Sequence, residues 1–157
     1  MDLDRLRRGE IISTMGGILL GISVFLPWYT LGNSFAQVGS CHNDIHHVNT
    51  TCSAWNALSV FPILFLLGAA APLILAWIIA RGHALAWPRG EMTAVTAVIA
   101  IVLTLFLGVI DRPGTPPGQI GIAWGWFIAL LGGLLMVTGA MWRAQESAPR
   151  RKPPGVL

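Results

Sequence analysis

Residues 28–55 read WYTLGNSFAQVGSCHNDIHHVNTTCSAW, and this polar stretch between two apolar runs decides the fold. It holds Cys41 and Cys52, the two cysteines of the chain, together with His42, His46 and His47, three of its four histidines. What flanks it is too apolar for a domain dissolved in water. The 157 residues are 54% hydrophobic and only 11% charged, whereas soluble domains carry about 25% charged residues.

Outward from that stretch lie four apolar runs, Ile11–Leu26, Ala54–Ala80, Met92–Ile110 and Ile120–Trp142, with no Asp, Glu, Lys, Arg or His inside any of them. A helix crossing the hydrocarbon layer needs about 20 such residues. The expectation is an all-α polytopic membrane protein, a four-transmembrane-helix bundle with spans at about 11–27, 54–80, 91–111 and 119–142. Residues 28–53 form its outer loop, residues 1–142 its transmembrane domain, and residues 143–157 a basic, Pro-rich cytoplasmic tail. Leu26-Pro27-Trp28-Tyr29 is not a small-residue cleavage site, so the first run reads as a retained helix rather than a signal peptide.

Loop charge gives the orientation, because Lys and Arg collect on the cytoplasmic side. Arg5, Arg7 and Arg8 precede the first span, Arg81 and Arg89 follow the second, and Arg143, Arg150, Arg151 and Lys152 follow the fourth. Only Arg112 falls on the other face. Both termini are therefore expected in the cytoplasm of a plasma-membrane protein, with residues 28–55 outside. The net charge of +3 is then a topology signal that also favours anionic headgroups, and gives no reason to expect nucleic acid.

Amphipathic rings favour the headgroup layer, so Trp28, Tyr29, Trp55, Trp77, Trp87, Trp124, Trp126 and Trp142 read as interfacial belts. Gly17 with Gly21, and Gly121 with Gly125, stand four apart and would let helices approach closely. Pro72 cannot donate to the Gly68 carbonyl, so a kink is expected near Gly68. Such a freed carbonyl can serve an ion path; a neighbouring hydroxyl or simple tolerance is the plainer explanation.

Cys41 and Cys52 fall on the side assigned as oxidising, and a structural disulfide between them is expected. A thiol oxidoreductase would need a C-x-x-C pair, which is missing. If the segment between the cysteines is extended, His42, Asp44 and His46 project together, with His47 adjacent, and could hold Zn or Cu or titrate as a pH sensor. The plain alternative is a solvated polar loop. Uncharged spans leave no foothold for a proton relay, a buried bis-histidine haem or an intramembrane active site, and there is no P-loop, G-x-S-x-G or dinucleotide fingerprint.

Phe25-Leu26-Pro27-Trp28-Tyr29 closing the first span, Ser53-Ala54-Trp55-Asn56-Ala57-Leu58-Ser59 opening the second, Ile110 to Pro113 ending the third and a Gly-rich fourth span carry a resemblance. The chain resembles a group of small four-span membrane proteins common in actinobacteria, which implies topology and no activity. Pro27-Trp28 after the first span, followed by a cysteine pair in the first outer loop, more distantly resembles the claudin superfamily in layout.

The function expected on these grounds is non-catalytic. The chain would be an interaction or assembly protein of the bilayer, either a homo-oligomer or an accessory subunit beside other membrane proteins, with bound lipid and no resident cofactor. A small channel or carrier with its path between protomers is the first alternative, and an extracytoplasmic metal or pH sensor built on the histidines is the second.

Overall fold

The computed structural model describes residues 8–32, 35–44, 46, 51–81 and 91–147. His47, Trp87 and residues 148–157 of the expected tail lie outside these. Among the described residues, long helices pack side by side with a small β cap at one end, so the fold is mostly helical rather than purely so.

Helix α1, Arg8–Ser23, has 16 residues and is about 24 Å long at 1.5 Å per residue. It closes with short-range bonds from Phe25 N to Ile22 O and from Leu26 N to Ser23 O, because Pro27 biases its predecessor away from helix. Residues 54–80, expected as one span, are two elements: α2, Ala54–Ala57, and α3, Phe61–Ala80. The break has a chemical cause. Leu58 is extended at φ −120°, ψ 117°, and Pro62, in the first turn of α3, could neither donate to the Leu58 carbonyl nor clear it if the helix ran on.

Helix α4 spans Glu91–Leu105 and widens into a π-helical turn over Phe106–Ile110. The fourth apolar run is also divided. Ile120–Ile122 form strand β5, and α5 runs from Trp124 to Ser147, so the last helix begins and ends about five residues later than 119–142. Among the described residues, three helical stretches, Phe61–Ala80, Glu91–Ile110 and Trp124–Gln145, are long and apolar enough to cross a membrane.

Strand β1, Pro27–Leu31, is the centre of the cap. It pairs antiparallel with β4, Thr51–Ser53, on one side and with β5 on the other. The register slips between Pro27 and Tyr29, and this irregularity lets two successive residues, Trp28 and Tyr29, both point inward against the usual alternation. A hairpin of β2, Gln37–Val38, and β3, Cys41–His42, turns at Gly39, whose φ of +55° suits glycine. A Cβ there would also collide with the backbone of Asn56 and Ala57. Gln37 exchanges backbone bonds of 2.8 and 2.9 Å with Thr115, so the hairpin is tied to the connector between α4 and β5.

Below the cap, α1 lies between α5 and α3, and α4 flanks α5. The α1–α5 contact is backbone on backbone. An added Cβ at Gly16 would sit 2.6 Å from Gly132 O, and one at Gly9 would sit 2.7 Å from Gly139 O. Against α3, Gly17 receives the Pro72 ring, and α3 continues as helix through that proline.

Candidate functional site

Where the cap meets the bundle, and where α5 meets α4 directly beneath it, side-chain donors bond backbone carbonyls of a neighbouring segment. The π-helical turn supplies two of these acceptors, Leu107 O and Gly108 O, since widening from i+4 to i+5 bonding displaces carbonyls from their regular partners. Trp126 Nε1 donates to Thr104 O at 2.7 Å, and Tyr29 OH donates to Leu107 O at 3.1 Å. Arg112 Nε donates to Gly108 O while its Nη1 reaches Ile120 O at 3.3 Å. Residue 108 must be glycine here, because the Trp126 indole lies against the place a Cβ would occupy.

On the other side of the junction Trp28 Nε1 donates to Ser23 O at 2.8 Å, and the Trp28 ring meets Phe65 edge-on with centroids 5.2 Å apart. Backbone bonds from Trp55 N to Val24 O and from Ala123 N to Trp28 O complete the seam. Trp28 and Tyr29 are wholly buried and Trp126 nearly so. Burial drives the Tyr29 phenol well above its usual pKa, with Arg112 opposing and Asp111 reinforcing the shift. The phenol is therefore held as a neutral donor to Leu107 O.

These three aromatics correct the belt expectation. A Trp or Tyr at the end of an apolar run satisfies its polar tip either in headgroups or, as here, on a buried carbonyl. Trp55, Trp77, Trp124 and Trp142 are about half exposed on the outside of the bundle.

Cys41 and Cys52 form a disulfide with Cα atoms 6.0 Å apart, which clamps the hairpin onto the central sheet. Both are buried, and Cys52 Sγ also approaches Val38 O. His42 and His46 are exposed. The chain bends after β3, where His46 N donates to Asp44 Oδ1 at 2.7 Å, so the extended arrangement that would align His42, Asp44 and His46 ends at His42. Among the described residues no three His, Cys, Asp or Glu side chains gather as a metal would require.

Of the expected packing glycines, Gly17 makes a close contact and Gly21 an ordinary one at 3.5 Å from Ala69 Cβ. Gly125 is pressed on Pro27 O at the cap rather than on a helix, and Gly121 belongs to β5, facing Thr30. Space around Gly68 is open, with no neighbour within 4 Å of an added Cβ.

Two features were not anticipated from sequence. One is the glycine pairing of Gly9 and Gly16 with Gly132 and Gly139; each pair is separated by seven residues, two helical turns, and that spacing was the available signal. The other is a buried ion pair, Glu10 to Arg143, with Arg143 Nε 3.9 Å from Glu10 Oε1 at the end of the bundle remote from the cap. Glu10, in the first turn of α1, also complements the dipole of that helix.

Comparison with protein-family models, with curated proteins and with solved structures finds no match to this chain.

Proposed function

We propose that this chain is a four-span plasma-membrane protein with cytoplasmic termini that works without catalysis. On this reading it presents a rigid extracytoplasmic cap, and it assembles with copies of itself or with other membrane subunits. The observation that carries the reading is the junction. The polar tips of Trp28 and Tyr29 in the cap bond the Ser23 and Leu107 carbonyls of the helices, Arg112 links the end of α4 to Ile120 O of β5, and Trp126 ties α5 to α4 directly beneath. A clamped cap of this kind suits display of a fixed surface, and exposed Phe35 beside the hairpin is the type of apolar group an interface uses.

Orientation is supported by the loop charges and by the disulfide, which an oxidising compartment favours. As the test, two differently tagged copies are expressed together and crosslinked in the intact membrane, with copurifying proteins identified by mass. Recovery of the second tag or of a stoichiometric membrane partner is expected. A strict monomer with no companion would overturn the assembly reading. Modification of Ser40→Cys by a membrane-impermeant thiol reagent in intact cells checks the side on which the cap lies.

A further inference from the structure

Helix α3 is apolar or small-residue throughout its 20 residues, Phe61–Ala80, and the first charged side chain beyond it is Arg81. That side chain does not extend off the end of the helix but folds back one turn. Its guanidinium carbon lies 4.1 Å from the centre of the Trp77 ring, and the ring itself is about half exposed. We infer that Trp77 and Arg81 form a phosphate site that takes the headgroup phosphodiester of an anionic glycerophospholipid in the leaflet remote from the cap, an inference that rests on the reading that α3 crosses a bilayer.

The contact with Trp77 leaves the donors of Arg81 open. An indole attracts a guanidinium through its π face without accepting a conventional hydrogen bond, so the N–H groups stay available and can grip two phosphate oxygens at once. Among the described residues no carbonyl or carboxylate accepts from the Arg81 side chain, and Glu91, at the start of α4 on the same side of the molecule, forms no ion pair with it. Resting on the ring also restrains a long side chain in advance, so less freedom is lost when an anion binds.

Depth and direction favour a lipid over an anion in the aqueous phase. The 20 residues of α3 rise about 30 Å, the thickness of the hydrocarbon layer, so Arg81 stands at headgroup level when Phe61–Ala80 fills that layer. Trp77 is one turn, about 6 Å, nearer the hydrocarbon, and Ile74 below it is more than half exposed. An arginine at the end of a span ordinarily carries its charge outward to water. One turned inward over Trp77 places it among lipid phosphates, where soluble anions are scarce. The surrounding charge has the matching sign. Helices α1 and α3 run antiparallel, with Gly17 against Pro72 and Gly21 against Ala69. Arg8 lies nine residues before Gly17 and Arg81 nine after Pro72, so two exposed cations share one level, whereas Glu10 is buried against Arg143. Choline would bring another cation into that field, so a headgroup with none of its own, such as that of phosphatidylglycerol, is favoured.

The test is native mass spectrometry of the full chain, released from detergent after incubation with equal amounts of phosphatidylglycerol and phosphatidylcholine. The wild-type chain is expected to retain phosphatidylglycerol several-fold over phosphatidylcholine. Arg81→Gln should lose most of that preference, and Trp77→Leu, which keeps the charge but removes its support, a smaller part. Should Arg81→Gln fail to fold, Arg81→Lys takes its place, with a preference below that of the wild type expected because an ammonium lacks the bidentate fork. Equal retention of the two lipids by the wild-type chain, or an undiminished preference in Arg81→Gln, overturns the inference while leaving the bilayer reading intact. Saturable displacement of phosphatidylglycerol by inorganic phosphate would overturn it too, by assigning the site to a soluble anion. A chain that stays dissolved and monodisperse once detergent is withdrawn, retaining neither lipid, would sink both.

Discussion

The two ends of the bundle are held by opposite means. At the cap end, bulky rings with polar tips supply both packing and directed bonds: Trp28 and Tyr29 reach from the sheet to Ser23 and Leu107, and Trp126 ties α5 to Thr104 on α4. At the far end α1 and α5 meet through glycines, and one buried pair, Glu10 with Arg143, closes the contact. The difference follows from what each end must join. A sheet on top of helices leaves irregular gaps and displaced carbonyls that large side chains can fill and satisfy, whereas two parallel-sided rods gain most by shedding side chains and touching directly.

Substitutions at each end separate the two mechanisms. Trp126→Ala removes ring and donor together and is expected to cost about 3–5 kcal/mol, read as a lowered midpoint of thermal unfolding in detergent, with hydrogen exchange rising first where α5 meets the end of α4. At the opposite end Glu10→Gln removes one buried charge facing Arg143 and should cost up to a similar amount, about 3–5 kcal/mol. The paired change Glu10→Met with Arg143→Met should recover most of it, since apolar residues of similar volume carry no desolvation cost; a double variant as unstable as the single would show that the pair does more than neutralise itself.

Smaller effects sharpen the contrast. Replacing both Cys41 and Cys52 by serine is expected to cost about 2–4 kcal/mol, with faster exchange confined to the hairpin and β4 and none along the Gly9–Gly16 face. Tyr29 is the only tyrosine in the sequence, so phenolate absorbance reports on it alone. Its raised pKa means the folded state holds the proton more tightly than the unfolded state. The associated stability is therefore complete below the ordinary value of 10.0 and declines as pH rises above it. The expected record is no phenolate signal at pH 10, then its appearance together with loss of helical circular dichroism. A free titration near 10 in the folded chain would mean that the ring is not sealed beneath the cap.

Hydropathy located α3, α4 and α5 because long uncharged runs have one structural meaning, and the cysteines announced their bridge by falling in one polar segment. The β cap was hidden for a physical reason. Ile120-Gly121-Ile122 is a short apolar stretch continuous with the run that follows, and composition alone does not tell a three-residue strand from the start of a helix. Residues 54–57 merged with α3 in the same way, although Pro62 marked the break. Gly9, Glu10 and Arg143 were passed over because they sit at the edges of apolar runs, where glycine and charge usually mean a boundary, and only the packed structure reveals that the boundary residues face each other.

The embrace of α1 by α5 bears on how the protein is made. Translation delivers α1 well ahead of α5, with α3 and α4 in between, and the Gly9–Gly16 face and Glu10 meet their counterparts only once α5 has left the ribosome. β1 likewise gains its second neighbour only with β5. A nascent chain stalled before Trp124 therefore lacks both the glycine face that α1 packs against and the strand that completes the sheet around β1.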